Sequence, residues 1–98
     1  MENTSFAINE SKRRFELEMD GKVAIIDFQL RDNEMTLTHT KVPDELEGQG
    51  VGKKLVEHTL EFIKDHNYTL VPLCPFVTVY IKRHPEWKDL LADGYSIN

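Results

Sequence analysis

The sequence predicts a mixed α/β domain, an α+β sheet in which three antiparallel strands lead into a helix, a fourth strand and a short second helix. Three observations predict it. Apolar and polar residues alternate with a period of two in the first half of the chain, the signature of half-buried strands. Helical spacing takes over after Gly50. The segment joining the third and fourth strands has the length of a right-handed βαβ crossover, which connects parallel neighbours.

Each element has its own warrant. Met1 to about Ser11 holds few anchors and reads as a flexible tail, with Phe6 and Ile8 as its docking groups. Phe15, Leu17 and Met19 alternate with Arg14, Glu16 and Glu18, giving the first strand. Asp20-Gly21 is a tight hairpin signal. Val23 to Leu30 is nearly all apolar, which suits a strand near the sheet centre. Arg31 to Glu34 supplies the next turn. Met35, Leu37, His39 and Lys41 alternate with Thr36, Thr38, Thr40 and Val42 in the third strand, which ends at Pro43. From Val51 to about His66, Leu55, Val56, Leu60, Phe62 and Ile63 form one apolar helical face, and Asn67 is a stop signal. Tyr68 to Leu73 forms the last strand, where Pro72 marks an edge or an end. Pro75 suits the first turn of the second helix, with Phe76/Tyr80 and Val77/Ile81 as i,i+4 pairs. Pro85 ends that helix, and Trp87, Leu90 and Leu91 return to the core.

The 98 residues fit one domain with a small core. A formal charge of −5 and a pI near 5.3 argue against nucleic acid or an anionic membrane as partner. No apolar run approaches the roughly 20 residues of a membrane span, and the N-terminus is not signal-like, so a cytoplasmic protein is expected. A lone Cys74 and four scattered histidines give neither a disulfide nor a metal-ligand spacing, so no metal is expected.

The most specific local pattern is Glu47-Gly48-Gln49-Gly50-Val51-Gly52-Lys53-Lys54, at the carboxyl end of a strand and the start of the longer helix. A helix N-terminus offers unpaired N–H groups and the positive end of its dipole, and glycine permits close approach, so the pattern suits phosphate. It is not a P-loop, which would need glycine at 47 and Ser or Thr at 54. Nor is it a dinucleotide fingerprint, which from Gly48 would need glycine where Lys53 stands.

The loop resembles the pyrophosphate loop of the GNAT superfamily of N-acetyltransferases: Gln or Arg, two residues, Gly, one residue, Gly or Ala. Glu47 departs from the first position. Leu37 to Pro43, Val71 to Val77 and His84 to Trp87 look like a minimal single-domain branch of that superfamily, and the likeness covers about Phe15 to Leu91. It implies a truncated GNAT-like fold and acetyl-CoA as cosubstrate. It also implies that the pantetheine arm pairs with the backbone of Thr40, Lys41 and Val42 like an added strand. Pyrophosphate would lie on the amides from Gln49 to Lys53, with Lys54 beside them. Lys82 and Arg83 form a small basic patch that reads either as a solvated surface or as a holder of the CoA 3′-phosphate.

Two side chains sit near the expected thioester. Cys74 reads either as core filler or as a reactive thiol at a helix N-terminus, acting as acetyl acceptor or as proton donor to departing CoA. His39 reads as a structural sheet histidine or as a base. Tyr80 is a third proton-donor candidate, with core packing as its other reading. His58 and His66 are expected in solvent. Acetyl transfer to a primary amine, on a small molecule or a protein, is the leading expectation, by a monomer or weak homodimer. A CoA-binding or interaction module without turnover is the alternative.

Overall fold

The computed structural model describes residues 4–97. Its sheet has five strands in the order β1 (Thr4–Asn9), β2 (Arg14–Met19), β3 (Lys22–Arg31), β4 (Glu34–Lys41) and β5 (Thr69–Pro72). The first four pair antiparallel, and β5 joins β4 in parallel through α1 (Val51–Asp65), as the crossover length predicts. A short 3₁₀ turn at Asp44–Leu46 precedes α1; α2 (Pro75–Arg83) and a second 3₁₀ turn at Pro85–Leu90 follow β5.

The turns form where the sequence offers the required backbone. Asp20 and Gly21 adopt φ of 53° and 76°, the pair of left-handed residues that a two-residue hairpin needs. Asn67, at φ 58°, ends α1. Pro75 opens α2 with Cys74 as its N-cap residue. Pro72 closes β5, an edge strand, where its missing N–H costs no central ladder bond.

Alternation fixes which face is buried. Phe15, Leu17, Ala24, Ile26 and Leu37 pack beneath the apolar face of α1, with Leu55, Leu60 and Ile63. Phe62 sits partly exposed at the edge, its ring 5.4 Å from that of Phe15. Val23, in the apolar run of β3, points away and is 39% exposed, so the second sheet face lies largely open.

The first residues differ from expectation. Residues 4–9 of the expected tail form strand β1, and Glu10 and Ser11 lie in the turn that follows; residues 1–3 lie outside the described residues. Phe6 pairs with Leu17 and Ile8 with Phe15, so both anchors extend the core face. The Phe6 ring stacks 5.9 Å from Phe15 and 4.9 Å from His58, which is therefore not simply solvated. His66 likewise stacks 3.9 Å from Phe62. Asn9 shapes the turn into β2, its Oδ1 accepting bonds from the Lys12 amide and the Ser11 hydroxyl. Two anchors are too few to reveal a strand by periodicity. The open edge of β2 and its adjacent aromatics complete it.

One irregularity decides which side chains of β4 face the helices. Between Asp27 and Phe28 the β3/β4 register shifts: Asp27 faces His39, but Phe28 faces Leu37, leaving Thr38 as the extra residue of a bulge. Simple alternation places His39 on the same face as Leu37. The bulge reverses this, turning Thr40, opposite buried Ile26, toward the helices and His39 toward the open face.

Phe6→Ala should lower unfolding stability by about 1–2 kcal/mol in urea denaturation, less than for a fully buried ring. A change within about 0.5 kcal/mol, as for an ordinary surface site, would mean that β1 does not belong to the cooperative fold.

Candidate functional site

The loop after β4 is held by its own bonds. Leu46 is buried as its anchor. The Glu47 amide donates to Asp44 O at 3.2 Å and the Gln49 amide to Leu46 O at 3.3 Å, while Gln49 Nε2 donates to Glu45 O at 2.9 Å. The Gln49 amide, expected among the phosphate donors, is thus already used inside the loop. Gly48 and Gly50 adopt φ of 82° and 77°, a conformation that a side chain would strain.

Gly50 is the N-cap of α1, and having no side chain it caps nothing. The Lys54 amide closes the first helical bond, to Gly50 O at 3.1 Å. The amides of Val51, Gly52 and Lys53 donate to no backbone or side-chain group among the described residues. No acidic residue occupies the first turn. Lysines there oppose the helix dipole, at a cost of about 0.3–1 kcal/mol each when exposed. Every usual means of satisfying a helix start is missing, and the arrangement suits an anion.

These amides border a cavity of about 330 Å³, whose wall includes Val42, Glu47 and the Phe76 ring. A second cavity, of about 670 Å³, adjoins it, sharing Lys53 and Phe76 and extending along α2 past Val79 and Tyr80 to Arg83 and His84. Gly52 has a different purpose from the other loop glycines: a Cβ there would lie 2.5 Å from Phe76 Cζ. Phe76 is 43% exposed, so its ring belongs to the groove wall more than to the core.

On the opposite side the β4/β5 ladder stops. Its last backbone bond runs from the Leu73 amide to Leu37 O at 3.1 Å. Beyond it Thr40 and Lys41 pair with β3 alone, leaving the other edge of β4 free for an extended ligand, and Val42 continues this edge into the first cavity. Across the gap Thr40 Oγ1 lies 2.8 Å from Cys74 Sγ. Cys74 is 4% exposed. The structure brings these two together and leaves His39, one residue earlier, exposed on the helix-free face.

Sequence reasoning missed two further contacts. The Thr40 side chain was expected only to follow its backbone, and periodicity hides the bulge that aims it. Glu57, on the polar side of α1, accepts a bond from the Tyr80 hydroxyl at 3.0 Å. Burial, then the Glu57 carboxylate, pushes the Tyr80 phenol from its ordinary value of 10.0 up to about 12.

Comparison with known proteins is consistent with this geometry. The family model described as GCN5-related N-acetyl-transferase matches residues 14–90. Protein NATD1 of Xenopus tropicalis is 22% identical over 80 residues, covering 79% of this chain and 73% of its own. Protein NATD1 of Mus musculus is 24% identical, with the same coverage of 79% and 73%. Among solved structures, the solution structure of a GCN5-like candidate N-acetyltransferase from Staphylococcus aureus superposes with a TM-score of 0.70 at 28% identity, covering 94% of this chain and 91% of the other.

Tyr80 supplies a pH test. A phenol whose folded value exceeds its unfolded one favours the protonated state, so its contribution to stability is intact below about pH 10 and is lost as pH rises through about 12. Melting temperature should therefore fall more steeply above pH 10 in the wild type than in Tyr80→Phe. Equal alkaline slopes would contradict the part-buried Tyr80–Glu57 bond.

Proposed function

The chain belongs to the GCN5-related N-acetyltransferase family, and from that premise we propose that it transfers the acetyl group of acetyl-CoA to a primary amine. The observation that carries the proposal is the set of unsatisfied amides at Val51, Gly52 and Lys53, bordering a cavity and adjoining the free edge of β4. Its residues fit the cosubstrate along their whole length. The amides and Lys53 hold pyrophosphate, with Lys54 beside them; Thr40, Lys41 and Val42 pair with the pantetheine amides; and Arg83, on the rim of the larger cavity, takes the 3′-phosphate. Glu47, where the family has Gln or Arg, lines the same cavity and moderates its positive field.

Acetyl-CoA, when bound, supplies a thioester whose carbonyl an amine attacks, with CoA departing as a thiolate. Cys74, the N-cap of α2 beside the end of the β4/β5 ladder, donates a proton to that thiolate. Thr40 orients the Cys74 thiol through the 2.8 Å contact. His39, on the face free of helices, takes the proton that the amine loses, so acceptor and cosubstrate approach from opposite sides of the sheet. The near-complete burial of Cys74 and its tie to Thr40 favour this direct route over an acetyl-Cys74 intermediate.

Calorimetry should detect acetyl-CoA and CoA binding, and no heat at high micromolar ligand would refute the proposal. Cys74→Ser should lower kcat about 10- to 100-fold with acetyl-CoA affinity unchanged. Intact mass without amine should show no added acetyl group. An acetyl adduct that an amine then discharges would establish the covalent route, and binding without turnover of any amine would leave a CoA-binding module.

A further inference from the structure

Both helices that border the groove begin at it: α1 with the unpaired amides, α2 with Cys74 as N-cap. Their relative placement sets the distance between the phosphate cradle and the thiol. α1 and α2 touch through the Gly52–Phe76 contact and, one turn further along α2, through the bond from Tyr80 Oη to Glu57 Oε2 at 3.0 Å. The first contact is apolar and sets how closely the helices approach. The second is directional, joining a phenol that is 9% exposed to a carboxylate outside the apolar face of α1.

We propose that Glu57 and Tyr80 are a positioning pair that locks α2 onto α1, so that Cys74 stands at the distance from the α1 amides that one pantetheine arm spans. This rests on the acetyl-CoA reading above. An extended ligand bound at one end delivers its thioester to a fixed place, and a misplacement of about 1 Å can cost roughly 100-fold in rate. A hydroxyl-to-carboxylate bond is stronger and more directional than a neutral one, which suits a strut between two helices. Tyr80 also lies in the wall of the larger cavity, with the His84 ring 4.3 Å from its own, so the strut borders the groove it holds open. A phenol that keeps its proton up to about pH 12 and already donates it to Glu57 is poorly suited to deliver it to a leaving group. The pair therefore acts through geometry, and proton donation stays with Cys74.

The test is a double-mutant cycle of Glu57→Ala, Tyr80→Phe and both together, reading kcat/KM for acetyl-CoA and the affinity for ADP, a probe that reaches the α1 amides but lacks the pantetheine arm. Each single variant should lose about 10-fold in kcat/KM, the double variant no more than either, and ADP affinity should stay within about twofold. Glu57→Gln, which keeps an oxygen acceptor, should recover to within about threefold of wild type, and Glu57→Leu, which has no acceptor, takes the place of Glu57→Ala in the cycle if that variant fails to fold. Additive losses, a fall in ADP affinity in step with kcat/KM, or a loss of more than about 100-fold confined to Tyr80→Phe would overturn the pair; the last is the behaviour of a proton donor. If the wild type turns over acetyl-CoA and the cycle is additive, the pair alone falls. If the wild type binds no acetyl-CoA, the functional reading falls with it.

Discussion

A helix whose cap is glycine and whose first turn carries no acid has three amides, at Val51, Gly52 and Lys53, left without partners among the described residues. Buried or half-buried, such donors are costly unless something completes them. The surrounding elements hold this incomplete end open. The 3₁₀ turn and the internal bonds of Glu47 and Gln49 keep the loop from folding back over it, and Gly48 and Gly50 give the backbone the left-handed steps needed to enter α1 from the sheet. The apolar face of α1, buried on the sheet, supplies the stability that its start lacks.

The rest of the site is arranged around that point. The early end of the β4/β5 ladder leaves a strand edge pointing from these amides toward Cys74. The bulge in β4 turns Thr40 to the thiol and His39 to the open face. Without the bulge the histidine would face the core and the threonine would face solvent, so one extra residue assigns the two side chains to opposite sides of the sheet. α2 completes the groove with the Phe76 ring, for which Gly52 leaves room, and its hold on α1 through Tyr80 and Glu57 gives the two halves a fixed relation.

Much of this was legible in the residues because it is local. Alternation from Phe15 to Met19, the Asp20-Gly21 turn, the helical spacing from Leu55 to Ile63 and the placement of Pro75 each depend on near neighbours, and each element formed where expected. The glycine loop was legible for the same reason. What was not legible depends on partners distant in the chain. β1 exists because β2 offers an edge and Phe15 a ring for Phe6 to meet. The Thr40–Cys74 contact joins β4 to the start of α2, and the bulge between β3 and β4 that aims Thr40 there is not revealed by alternation. Glu57 lies outside the apolar face of α1, and nothing within that helix shows that Tyr80 lies opposite.

Amide NMR of ¹⁵N-labelled protein titrated with CoA tests the role of this helix start most directly, since it reports on the three donors individually. If they are the phosphate cradle, the Val51, Gly52 and Lys53 resonances should move downfield together, farther than any others, and exchange more slowly with solvent. If those three stay in place while the largest changes fall elsewhere, for instance around the separate cavity of about 300 Å³ between Ile8, Phe62 and Tyr68, that role is contradicted.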